Sequence, residues 1–177
     1  MARPMVVQDA DITFARNTLS SFVENVALAR ALHSIEQPPY ALRLAQGSAF
    51  DIAAIEWCIL FGSDDPHHQH LHWKNIFDED LFRAGLMEVL EMSIEDWATY
   101  RRNLVNYRNE LAAHRDLNPA TRNYPNFDTA IRAAAFYHEQ LVEFAAARGV
   151  VMEGPGLMEH FETRAAEFGE WASSVRG

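Results

Sequence analysis

Between Ala49 and Phe61, thirteen consecutive residues carry only two charges, Asp51 and Glu56. On a helical wheel the apolar side chains fall nearly all round, so the segment reads as a central helix packed on several sides rather than a one-faced surface helix. The Gln37-Pro38-Pro39 break upstream and the turn residues Gly62-Ser63-Asp64-Asp65-Pro66 downstream delimit a helix from about Tyr40 to Phe61. A helix of this kind needs other helices around it. The rest of the chain supplies candidates.

Asp9 or Asp11 can cap a first helix from about Ile12 to Ile35, in which Phe14, Leu19, Phe22, Val26, Ala29 and Leu32 recur near a helical period. A shorter helix is expected around Glu79 to Leu90. Ser93-Ile94-Glu95-Asp96 places a carboxylate three residues after a hydroxyl, an Asp variant of the capping box, and opens a helix to about His114. Asp128 opens another through Arg148, with Gly149 as its stop, and Gly154-Pro155-Gly156 precedes a last helix from about Leu157 to Ser173. No strand alternation, internal repeat or domain-scale linker interrupts this pattern. The expectation is an all-α, up-and-down bundle of four to five main helices, with residues 1–177 forming one domain.

Composition narrows the function. At 177 residues and 49% hydrophobic content, the chain can bury a core without disulfides or metals, and its single cysteine, Cys58, is expected to be a buried thiol. The net charge is −10, with fourteen arginines and one lysine, Lys74. General phosphate neutralisation of a duplex needs the opposite balance, so any nucleic-acid contact must be local. Residues Met1 to Asp9 hold no signal-peptide core, and the apolar runs read as too short and too charged to span a bilayer, which places the protein in the cytoplasm with no membrane partner.

The helix opening at Ser93 carries the chemistry. Trp97, Tyr100, Leu104, Leu111 and Ala112 form its apolar face, and Arg102, Asn103, Asn106, Asn109, Glu110 and Ala113 lie mostly opposite. Arg108 projects into the apolar face, with Arg101 and Arg115 one heptad to either side. A guanidinium there must find carboxylates, for which Asp51 and Glu56 are the natural ion-pair candidates, or line a cleft or subunit interface that admits water or an anion. On one straight α-helix His114 lies about 120° around from Arg108, so the pair flanks an edge unless the helix end frays or a second chain completes the site. Chemically, an arginine binds a phosphodiester and a histidine moves a proton near neutral pH.

Arg108-Asn109, four residues, then His114 resembles the motif of the HEPN superfamily of helical nucleotide-binding and ribonuclease domains. Glu56 to Gly62, His72-Trp73, Ala113 to Asp116 and Tyr124 to Asp128 make the context similar to its abortive-infection AbiU-like branch, over roughly Tyr40 to Val142. The resemblance implies a HEPN-like bundle, a homodimer that sets two motif helices across a cleft, and metal-independent endoribonuclease activity of a toxin or phage-defence kind. It implies that Arg108 binds the scissile phosphate, Asn109 orients it and His114 is general base or acid, with Asp51 or Glu56 as an additional polar group. RNA and an antitoxin protein are the partners it implies, and no cofactor is expected. The alternative is a non-catalytic dimeric HEPN interaction or RNA-binding module in which Arg108 is ion-paired.

Other features read more plainly. His67, His68, His70 and His72 beside Asp64 and Asp65 have the chemistry of metal ligands, but one loop offers them little fixed geometry. A solvated loop with His72 packed near Trp73 is expected, and no metal site. His33, His138 and His160 are read as surface or satisfied, partly buried histidines. Met87, Met92, Phe136, Tyr137 and Phe144 are read as core. No phosphate-binding glycine loop, serine elbow or zinc-binding His-Glu-x-x-His helix is present.

Overall fold

The computed structural model describes residues 7–62, 70–113 and 124–175. All of its regular elements are helical: α1 (Asp9–His33), α2 (Tyr40–Phe61), α3 (Trp73–Ile76), α4 (Glu79–Leu90), α5 (Ile94–Tyr107), a π-helical turn (Arg108–Ala113), α6 (Asp128–Ala146) and α7 (Leu157–Ser174). The bundle is organised around α1, which packs most extensively on α2, then α7, and also on α6. Helix α2 meets α5 and the π-turn on another side.

Local signals account for most boundaries. The Ser93 hydroxyl oxygen accepts from the Asp96 backbone N–H at 3.1 Å and donates to the Asp96 carboxylate at 2.8 Å, closing the expected cap of α5. Asp78 caps α4 by accepting from the Asp80 and Leu81 amides. After α6, Gly149 adopts φ +76° and the Val150 N–H reaches back to the Ala145 carbonyl at 2.9 Å, a left-handed stop that satisfies an end carbonyl.

Two expectations need correction. The cap residue of α1 is Gln8 rather than Asp9 or Asp11, and Asp11 instead accepts from the Gln8 backbone N–H at 2.8 Å. Phe14 is exposed, because Ile12 and Ala15 fill the inward positions of the first turns. Residues 70–72 are non-helical, as expected, and His72 caps the one-turn helix α3, its ring nitrogen facing the Lys74 amide at 3.4 Å.

The core is aromatic where α2, α5 and α6 converge. Trp57 and Phe61 stack at 5.0 Å, Trp97 packs edge-on against both, and Tyr137 meets Phe61 at 5.8 Å. Phe136 and Tyr137 are buried, with Met87, Met92 and Phe144 packed on the same cluster. Trp57 is wholly buried, so truncating it to alanine costs about 3–5 kcal/mol.

Helix α2 departs from the sequence reading in an informative way. Its buried residues are Ala49, Ala53, Ala54, Trp57, Cys58, Leu60 and Phe61, yet Leu44 (52%), Ile52 (43%) and Ile55 (36%) stay exposed. Positions 44, 52 and 55 share one helical face. The helix is therefore packed on several sides but bare along one apolar stripe. By length and composition alone α2 also meets the requirement for crossing a membrane, with a mean hydropathy of 1.3 over its best window, of which 39% is buried within the bundle. The sequence reading missed this because it took the apolar run to start only at Ala49.

Candidate functional site

The motif region lies where α5 ends against α2. Trp97, Leu104 and Tyr107 of α5 are buried, Tyr100 is partly buried, and Arg102, Asn103 and Asn106 face solvent, as the 100° periodicity predicts. That regularity stops at Arg108. From Arg108 to Ala113 the backbone winds as a π-helix, so the expected single α-helix to His114 is corrected. In a π-turn the hydrogen bonds run i to i+5, and each residue advances less than on an α-helix. The 120° separation assigned to Arg108 and His114 therefore no longer applies. His114 and Arg115 themselves lie outside the described residues.

The switch has a physical reason in what the two adjoining side chains reach. The Tyr107 hydroxyl donates to the Asp51 carboxylate of α2 at 2.6 Å. Arg108 hydrogen-bonds the Cys58 thiol two turns further along α2. Adjacent residues of an α-helix point 100° apart, and widening the turn brings both toward the same neighbour. The π-turn packs broadly on α2.

Electrostatically, Arg108 is half-buried, its Nε is sealed from solvent without a hydrogen-bond partner, and it enters no ion pair among the described residues. Burial pushes the Cys58 thiol up to about 11, against the pull of Arg108 and, more weakly, Arg101. The two arginines one heptad apart thus act on the same buried thiol. Arg101 also donates to the Phe61 carbonyl at 3.5 Å, at the carbonyl end of α2.

The expected carboxylate partners are engaged elsewhere. Asp51 takes the Tyr107 hydroxyl. Glu56 faces α1, where the Ser21 hydroxyl bonds its carboxyl and Glu24 lies nearby; burial first, and then the Glu24 charge, raise it above the ordinary carboxylate value. One Glu56 oxygen is buried without a partner. Arg108 and Glu56 are therefore not brought together, because side chains only two positions from Cys58 on α2 point to different neighbours. Asn109 is exposed and Glu110 half-buried beside the motif arginine.

The segment after the motif returns to this corner. Tyr124 stacks on Phe50 at 4.4 Å and tilts against Tyr107 at 5.9 Å, and Phe127 also stacks on Phe50 at 5.9 Å. The Tyr100 hydroxyl donates to the Asn126 carbonyl at 2.7 Å and accepts from the Ala130 N–H at 3.0 Å. Tyr107 and Cys58 are the residues whose part in the site sequence reasoning missed. The signal available was the i, i+7 spacing of Asp51, which accepts from Tyr107, and Cys58 on one face of α2.

Of the histidine-rich loop, His67 and His68 lie outside the described residues, whereas His72 is buried and stacks on Trp73 at 5.7 Å. Among the described residues no group of three histidine, cysteine or acidic side chains is placed to hold a metal ion. Compared with known proteins, the chain matches no family model, no curated protein and no solved structure.

Proposed function

We propose that this chain is a HEPN-type, metal-independent endoribonuclease of a toxin or phage-defence kind, acting in the cytoplasm as a homodimer. The observation that carries the reading is the onset of the π-turn at Arg108, the arginine of the Arg-Asn-x4-His motif. π-Turns inside helices concentrate at functional sites, and here the turn holds a guanidinium that no carboxylate among the described residues neutralises. Such a group remains available to a phosphodiester. In this reading Arg108 binds the scissile phosphate and stabilises charge developing on its oxygens, Asn109 orients it, and His114 transfers the proton as the 2′-hydroxyl attacks. The bare stripe Leu44, Ile52, Ile55 of α2 supports the homodimer, since an apolar face of that kind is a site for a second copy. An antitoxin protein is the further partner the motif resemblance implies.

Purified protein incubated with mixed cellular RNA in EDTA, alongside Arg108→Ala and His114→Ala, tests the activity. Cleavage by the parent and loss in both variants is the expected result; equal cleavage by all three sinks it. The second reading is a non-catalytic dimeric interaction or RNA-binding module, and the acidic body, −10 overall, favours its interaction form. That reading predicts no cleavage by any of the three, with the dimer intact in sedimentation.

A further inference from the structure

A cavity of about 240 Å³ opens between α3, α4 and the first half of α5. It is below the range of drug-sized sites, so its ligand is small. Among the described residues its walls hold three cations and no carboxylate: Lys74 of α3, Arg83 of α4 and Arg101 of α5. Lys74 is the single lysine of a chain whose net charge is −10, which makes this gathering of positive charge a local exception. The apolar part of the wall comes from Ile94, Trp97 and Ala98 of α5.

The cations are held in place by what lies under them. The Lys74 Nζ is 5.6 Å and the Arg83 guanidinium carbon 5.9 Å from the ring centroid of Trp73, both within cation–π range. Trp73 is buried and stacks on Phe82 at 4.8 Å, so this platform belongs to the core. The same Glu79 oxygen serves both cations: it lies 3.4 Å from Lys74 Nζ and bonds the Arg83 guanidinium. Asp80 approaches Arg83 only to 3.8 Å and is 96% exposed, where solvent screens it. Arg101 adds a third positive charge, and its donation to the Phe61 carbonyl is long, at 3.5 Å. Three cations against the Glu79 carboxylate leave a charge of about +2 around the cavity. Like charges gathered this closely repel one another, and an anion seated among them relieves the repulsion.

We propose that this cavity binds a small phosphomonoester, its phosphate among Lys74, Arg83 and Arg101 and a compact apolar body against Ile94, Trp97 and Ala98. Charge selects the phosphate: a phosphomonoester carries about −1.5 to −2 at pH 7, which matches the residual charge of the walls, whereas a carboxylate supplies about half of it. Geometry agrees, since guanidinium forks meet phosphate oxygens in pairs and a lysine ammonium adds a point charge. Neither Arg108 nor any other residue of the π-turn lines this cavity. The proposal therefore does not rest on the ribonuclease reading.

The probe is phenyl phosphate, with benzylamine, benzyl alcohol and inorganic phosphate as counterparts. Because Lys74 is the only lysine, the full chain labelled at the lysine Cε gives a single side-chain resonance that reports on the cavity directly. Calorimetry gives the affinity. The expected result is saturable binding of phenyl phosphate with a shift of that resonance, weaker binding of inorganic phosphate, and no response to the amine or the alcohol. Lys74→Gln/Arg83→Gln is expected to bind at least about tenfold more weakly. Ile94→Glu places a carboxylate in the wall at an exposed first-turn position of α5, where it suits the helix, and is expected to weaken binding as well. Circular dichroism verifies that both variants keep their helices. A resonance unmoved at several millimolar phenyl phosphate overturns the proposal. So does binding of benzylamine, benzyl alcohol or inorganic phosphate as tight as that of phenyl phosphate, or unchanged affinity in the folded variants.

Discussion

Replacing Tyr107 with phenylalanine removes one oxygen and leaves the ring packing on Tyr124 in place. The lost bond joins the last α-helical residue before the π-turn to Asp51 of α2 at 2.6 Å, in the short range of charge-assisted O–H to carboxylate bonds. Tyr107 is 1% exposed, so water does not readily replace it. A hydrogen bond to a charged group contributes about 1.5–3 kcal/mol. For a chain of this length each kcal/mol moves the midpoint by about 2–4 °C, so Tyr107→Phe lowers Tm by about 3–12 °C. Urea unfolding followed by far-UV circular dichroism measures the loss. A cycle with Asp51→Asn isolates the pair, and the coupling is expected to exceed the ~0.5 kcal/mol scatter of independent sites. Hydrogen exchange adds a local readout: amides of Arg108–Ala113 will speed up more than those of α1, because the anchor lies at their junction. A stability change under about 0.5 kcal/mol, or additive single variants, would refute the claim that this bond seats the π-turn on α2.

Glu56→Gln will stabilise the protein at neutral pH. A carboxyl raised by burial in the folded state holds its proton more tightly there than in the unfolded chain, so its favourable contribution is complete below the unfolded value and is lost as pH rises through the folded one. The variant escapes that loss, gaining on the order of 1 kcal/mol at about pH 7.5 and little at about pH 4; urea melts at the two pH values check it, and an equal effect at both contradicts the sign. Cys58, with its thiol pushed up to about 11 and almost no exposure, will resist a thiol-specific reagent in the native protein and react once urea unfolds it. Gly154→Ala will destabilise by about 1–3 kcal/mol through its positive φ, as thermal unfolding will show.

Much of the helical layout was legible without coordinates. The limits Tyr40–Phe61 and Glu79–Leu90, the Ser93 cap and the stop at Gly149 follow from proline breaks, side-chain caps and a left-handed glycine. These signals act over three to five residues, and so the local sequence contains them. The inward face of α5 was readable for the same reason, since periodicity needs no knowledge of the neighbour.

Tertiary structure decided what depends on two distant segments meeting. The π-turn at Arg108 arises because Tyr107 and Arg108 both reach α2, and no propensity within the turn announces that. Asp51 and Glu56 were equivalent partners on paper, but the rotation of α2 sends one to Tyr107 and the other to Ser21. The stripe Leu44, Ile52, Ile55 is bare although α2 is apolar nearly all round there, because α1, α5 and the π-turn cover only part of its circumference. Lys74, Arg83 and Arg101 lie on three separate helices with nothing in the sequence to group them, and only the fold gathers them around one cavity. Short-range hydrogen bonding thus set the helices, while the register of their packing set which side chains share a site.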